Sequence, residues 1–185
     1  MATTLELPAK PKLPEQYELV DNKVLAVPRM CFYSSAVANN LNMHAICFVK
    51  ENPCGTTYMN AIFRLPLRED PNRNRKPDMA YVSFERWPED RTTPYRGNAF
   101  DVVPELMVEV VSPNDEMDDI LGRTSEYLRA GAKLVWVFIP ILQQVYSYTS
   151  LTSVRIYTID DILDGGDVLP GFEVRVAELF PPMAD

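Results

Sequence analysis

The stretch Pro104-Glu105-Leu106-Met107-Val108-Glu109-Val110-Val111-Ser112-Pro113 decides the fold class. Leu106 to Val111 is a continuous apolar run broken only by Glu109, the pattern of a central strand covered on both faces. Ser112-Pro113-Asn114-Asp115 then reads as a helix start: Ser112 can cap, Pro113 suits the first helical position, and Asp115 completes a box-like spacing. Met117, Ile120, Leu121, Thr124 and Leu128 mark one helical face, and Gly131 closes the helix. Lys133 to Ile139 is a second apolar run. Strand, helix and strand in that order predict a right-handed crossover within a mixed sheet, and so an α/β class.

Outward from this unit, Asp78 to Phe84 reads as a strand, and Thr56 to Leu67 supplies one or two more. Residues from about Ser34 to Val49 form a helix, with Val37, Leu41, Ala45 and Phe48 at helical spacing, ended by Asn52-Pro53-Cys54-Gly55. Tyr17 to Val20 and Lys23 to Val27 flank Asp21-Asn22 as an N-terminal β-hairpin. On the other side, Gln144 to Tyr148 and Val154 to Thr158 are strands, and Asp164-Gly165-Gly166-Asp167 and Pro170-Gly171-Phe172 are turns. Arg68 to Lys76 and Trp87 to Pro104 are polar, irregular stretches. Residues 1–12 read as a loose lead-in and 13–185 as one domain, with no internal repeat.

Composition narrows the function. The chain has 185 residues, 46% of them apolar, enough for one real core. Its opening residues lack the basic start and apolar run of a signal peptide and no window reaches the length of a membrane span, so a cytoplasmic location is expected. Cys31, Cys47 and Cys54 lack CxxC spacing and read as reduced, packed thiols. The sole histidine, His44, reads as a packed structural residue of the first helix, which excludes His/His metal sites. No nucleophile elbow or phosphate-cradling glycine loop is present. The net charge of −8 argues against strong, non-specific nucleic-acid binding. Residues 64–96 nevertheless hold eight basic against six acidic side chains, a cluster that reads first as a solvated loop.

Two carboxylates stand out. Asp78, in Lys76-Pro77-Asp78, runs into Met79-Ala80-Tyr81-Val82, and Glu109 lies inside an apolar strand. A buried carboxylate is costly without a partner. Two of them, each at a strand, suggest one shared partner, and a divalent cation is the simplest. The plainer readings are a strand-start aspartate after a turn and a buried structural ion pair.

Pro77-Asp78 and Glu109, followed by a helix, resemble the PD-(D/E)XK nuclease superfamily, and within it the Uma-two family of restriction-endonuclease-like proteins. Tyr17-Glu18-Leu19-Val20-Asp21-Asn22, Lys76-Pro77-Asp78-Met79-Ala80-Tyr81-Val82-Ser83 and Pro104 to Pro113 are similar to successive motifs of that family. So are Tyr127-Leu128-Arg129-Ala130-Gly131, Leu134-Val135-Trp136-Val137 and Val168-Leu169-Pro170-Gly171-Phe172. The resemblance implies a restriction-endonuclease-like fold, a central mixed sheet flanked by helices with an N-terminal β-hairpin. It also implies Mg²⁺ or Mn²⁺ held by Asp78 and Glu109, with Glu18 as a third acid, and hydrolysis of DNA phosphodiester bonds.

The superfamily's lysine two residues after the glutamate is Val111 here. The family places it instead four residues before the tyrosine, and that position is Arg123. Arginine can pair with phosphate but cannot act as a base. By its own position, Arg123 reads equally as a partner of Asp119 one turn away, Tyr127 as packing, and Glu18 as a surface carboxylate of the hairpin. Near Ser34-Ser35, where many family members carry a histidine, none is present. Two functions follow: a metal-dependent endonuclease, or a degenerate nuclease fold kept as a nucleic-acid-binding or regulatory module. Apolar strand edges and the pairing habit of restriction-like folds make a homodimer an expected assembly.

Overall fold

The computed structural model describes residues 17–21, 23–26, 31–91 and 99–182. The lead-in over 1–12 and Asn22 of the hairpin turn lie outside these. In chain order the elements are β1 (Tyr17–Val20), β2 (Lys23–Ala26), α1 (Phe32–Glu51), β3 (Gly55–Met59), β4 (Phe63–Arg64) and β5 (Asn74–Arg75). There follow β6 (Met79–Ser83), β7 (Leu106–Val110), α2 (Met117–Ala130), β8 (Leu134–Ile139), β9 (Gln144–Ser150) and β10 (Ser153–Tyr157). The chain ends in β11 (Ile162–Asp164), β12 (Glu173–Arg175) and the short helix α3 (Val176–Leu179).

Six strands form the main sheet in the order β10-β9-β8-β7-β6-β3. The pair β7–β8, joined through α2, is parallel, and every other pair is antiparallel. The mixed sheet and its crossover unit are therefore as the apolar runs predict. Both faces of β7 are buried, and the two-residue period of a strand sorts its side chains. Leu106, Val108 and Val110 join Val37, Ala38, Leu41 and Ala45 of α1 in one core, with Trp136 and Phe138. Met107 faces the opposite side, with Ile120 and Tyr127 of α2 and Val135 and Val137 of β8. Glu109 shares the Met107 parity and so points toward α2. No helix among the described residues is long and apolar enough to cross a membrane.

Several expectations are corrected. The helix after β7 starts at Met117, not at Ser112. The Ser112 backbone N–H donates to Asp115 Oδ2 (2.7 Å) and the Asp115 N–H to the Ser112 carbonyl (3.0 Å), closing a turn of its own before the helix. Asp118 and Asp119 then place negative charge in the first helical turn, where the macrodipole favours it. The buried stripe of α2 is Ile120, Thr124 and Tyr127, while Met117 and Leu121 are 45% and 44% exposed. Thr124 is tolerated inside because its hydroxyl donates to the Ile120 carbonyl (2.9 Å). Gly131 closes the helix as expected, left-handed at φ 111°.

The stretch Arg68 to Lys76 is only in part a solvated loop: Arg68, Glu69, Pro71 and Asn72 are exposed, but Asn74–Arg75 forms β5, and Asp70, Arg73 and Asn74 are buried. Cys47 and Cys54 are exposed and Cys31 half-buried, so the thiols are free but not packed. His44 is half-buried, 3.6 Å from Glu178. The turns expected at 164–167 and 170–172 lie between β11 and β12, a pair that, like α3, the sequence pattern does not reveal.

Candidate functional site

Asp78 immediately precedes β6, and Glu109 lies in the neighbouring strand β7. Their placement is fixed by backbone pairing. The Asp78 N–H donates to the Val108 carbonyl (3.0 Å), and the Val110 N–H returns a bond to Asp78 Oδ2 (2.7 Å). Asp78 thus brackets Glu109 from the next strand, through the residues on either side of it.

Glu109 is 4% exposed. The Tyr127 hydroxyl donates to its Oε1, and Arg123 Nη2 lies 3.3 Å from its Oε2. Both partners project from α2, one turn apart, because the Ile120–Thr124–Tyr127 stripe is the face turned to the sheet. Arg123 therefore pairs with Glu109, not with Asp119, and Tyr127 serves the carboxylate as well as the core.

Electrostatics mark the pair as under-compensated. Burial raises the Glu109 carboxyl well above the usual range. Arg123 opposes this, the Asp78 charge adds to it, and the Tyr127 hydrogen bond offsets part. Burial likewise raises Asp78, against the Val110 N–H and Arg123, with Asp115 adding repulsion. Burial alone would lower Arg123, but the charge of Glu109 holds it above its ordinary value. Glu105, at the other end of β7's neighbourhood, is the contrast. It is equally buried, but Arg86 Nε lies 3.0 Å away, and the Ser83 N–H (3.0 Å) and hydroxyl both donate to it. One buried carboxylate is fully met and the other is not.

Glu18 is buried rather than at the surface. Its Oε2 accepts from Arg75 Nη1 (2.7 Å) and its Oε1 from the Lys76 N–H (3.0 Å). Both oxygens are engaged, so Glu18 acts on Glu109 through its charge and on Asp78 by holding the backbone two residues before it.

Behind Glu18 lies an ionic network that sequence reasoning missed. Arg75 grips Glu126 of α2 in bidentate fashion, through Nε (2.7 Å) and Nη2 (3.1 Å). Arg73 reaches Glu126 (2.6 Å), Asp70 (3.0 Å) and Asp21 (2.7 Å). The network ties the hairpin, β5 and α2 together, and so spaces Asp78 from Arg123. Its one sequence signal is the local basic excess. Nothing local links that excess to Glu126, fifty residues away.

Among the described residues no group of three or more His, Cys, Asp or Glu side chains is gathered to hold a metal. The donors at hand are the two carboxylates. Two hard oxygen ligands suit Mg²⁺ or Mn²⁺, which keep several waters and are commonly bound by one or two carboxylates plus a substrate phosphate. The residues present fit such an ion.

Comparison with known proteins agrees with this architecture. No curated protein matches the chain. Among solved structures, the chain is similar to "a putative nuclease belonging to DUF820" from Anabaena variabilis, at a TM-score of 0.77 and 17% identity. The match covers 91% of this chain and 93% of that one, and establishes the fold. The model of the Uma2 family, described as "Putative restriction endonuclease", matches residues 2–177. With nearly the whole length matched and the restriction-endonuclease-like sheet in place, the chain belongs to the Uma2 family.

Proposed function

We propose that the chain is a divalent-metal-dependent endonuclease that hydrolyses phosphodiester bonds in DNA. One observation carries this reading: half-buried Asp78 and buried Glu109 share a site in which the one paired arginine, Arg123, leaves an excess of one negative charge when both carboxylates are ionised. Family membership and the nuclease relative support it. Asp78 and Glu109 would hold Mg²⁺ or Mn²⁺. Such an ion supplies an activated water and neutralises charge on the phosphate. Tyr127 orients Glu109 by bonding Oε1, which leaves Oε2 as the oxygen in contention. Glu18 and Arg75 fix the backbone that leads into Asp78. Arg123 remains protonated, so its part is electrostatic: its guanidinium offsets phosphate charge and does not take a proton.

The second reading, a nuclease fold retained for binding alone, is favoured by Arg123 in place of lysine and by the net charge of −8. Nicking of supercoiled plasmid in Mn²⁺ or Mg²⁺ separates the two. For the endonuclease, the wild type nicks, and Asp78→Ala and Glu109→Ala each lose about 100-fold or more. Equal activity in all three preparations, or none in the wild type, rejects catalysis at this site.

A further inference from the structure

Three arginines approach buried carboxylates here, and they are not held alike. Arg73 and Arg75 use every guanidinium nitrogen on acid oxygens at 2.6 to 3.1 Å. Arg123 makes one contact with Glu109, through Nη2 at 3.3 Å, and its buried Nε has no acceptor. A buried donor without a partner costs stability. Monodentate pairing also forgoes most of what a guanidinium can give a carboxylate. Arg123 is therefore the loosely held member of the set. Its side chain is 22% exposed, so a route to solvent is open. Asp119, one turn back on the same helix face and exposed, can receive it, and Asp115 adds attraction from the preceding turn.

The oxygen that Arg123 touches, Oε2, is also the one Tyr127 leaves to other partners. A guanidinium and a divalent ion both seek that oxygen, and like charges are not accommodated together in a dry site. We infer that Arg123 is the resident counter-ion of the metal-free site, and that it and a divalent cation are alternative partners of Glu109 Oε2. Arg123 then sets the metal affinity of the centre. Metal entry displaces its guanidinium and frees Nε and Nη2 together to face a phosphate. This rests on the metal-dependent reading above.

The test is direct metal binding, read without turnover. Free Mn²⁺ is titrated by electron paramagnetic resonance against the wild type, Arg123→Gln and Arg123→Lys, each first checked for its fold by circular dichroism. Expected is Mn²⁺ binding tighter by on the order of tenfold in Arg123→Gln, and close to wild type in Arg123→Lys, which keeps a competing cation. A second measurement needs no substitution: nitrogen NMR of the arginine side chains in the wild type as Mg²⁺ is added. The Arg123 Nε signal should move on saturation while those of Arg73 and Arg75 stay. If Mn²⁺ binds the wild type and Arg123→Gln binds it equally or more weakly, the inference is overturned and the metal-dependent reading stands. A fixed Arg123 signal at Mg²⁺ saturation overturns it in the same way. If no variant binds Mn²⁺, both fall together.

Discussion

At the scale of the residue, the site is a place where stability is given up. Asp78 is raised from 3.8 to about 6, chiefly by burial. A carboxyl that holds its proton more tightly when folded contributes stability fully below its unfolded value. That contribution is lost as pH rises through the folded value. Metal-free wild type should therefore lose stability between about pH 4 and pH 7 relative to Asp78→Asn, whose amide oxygen can still accept the Val110 N–H. In chelator, Asp78→Asn should melt higher at about pH 8 by roughly 1–2 kcal/mol, discounted for partial exposure, or about 3–6 °C. The gap should close near pH 4. A constant gap across that range would mean that folding does not raise the Asp78 carboxyl. The identities of Asp78, Glu109 and Arg123 were readable from spacing and resemblance. Which oxygen each holds was not, because that depends on the rotation of a helix about its axis.

At the scale of the element, α2 is set by Glu126 rather than by its N-cap. Glu126 receives three hydrogen bonds from two arginines, buried Arg73 and half-buried Arg75. Removing one partner of a buried pair leaves charge without compensation. Glu126→Ala should cost about 3–5 kcal/mol and lower the melting temperature by roughly 10 °C. Asp119→Ala, at the exposed position that the sequence offers as a partner for Arg123, should change it by less than about 0.5 kcal/mol. Paired thermal melts check both, and similar costs would sink the assignment. The same network carries an acid limb. Burial would raise Asp70, but the Asp21 N–H, the Arg73 side chain and the Asn72 N–H together hold it below its ordinary 3.8. Stability from a lowered carboxyl is present above that unfolded value and disappears as pH falls below it. Asp70→Asn should flatten the loss of stability below about pH 4 in acid titration followed by circular dichroism.

At the scale of the whole molecule, β10 closes one edge of the six-stranded sheet, and Val154 and Ile156 on it are each 48% exposed. The strand has no proline, and Arg155 and the register irregularity at Ser153/Val154 are its edge protection against these apolar side chains. If the chain forms the homodimer expected from the family habit, we propose this edge for it. Light scattering on the purified protein should give twice the chain mass. Ile156→Lys should halve it without lowering the melting temperature by more than about 2 °C. A wild-type mass of one chain at micromolar concentration would remove the dimer.

Sequence alone determined the mixed α/β sheet, the parallel β7–β8 pair and a carboxylate at each of two strands. Those follow from local pattern: an apolar run too long for one face, a helix between two such runs, and a charge placed where charge is costly. Only the tertiary structure decided that Glu18 is enclosed, that Asp70, Arg73 and Arg75 of the polar stretch enter an ionic network, and that Arg123 meets Glu109. Each of those rests on pairing between residues roughly fifteen to sixty positions apart, across elements whose mutual rotation no local pattern encodes. The late start of α2 belongs with them. Ser112 has the residue type of a cap, but its N–H is taken by Asp115 and its hydroxyl donates to Ser34 of α1 (3.1 Å), a contact that exists only once helix and sheet have met.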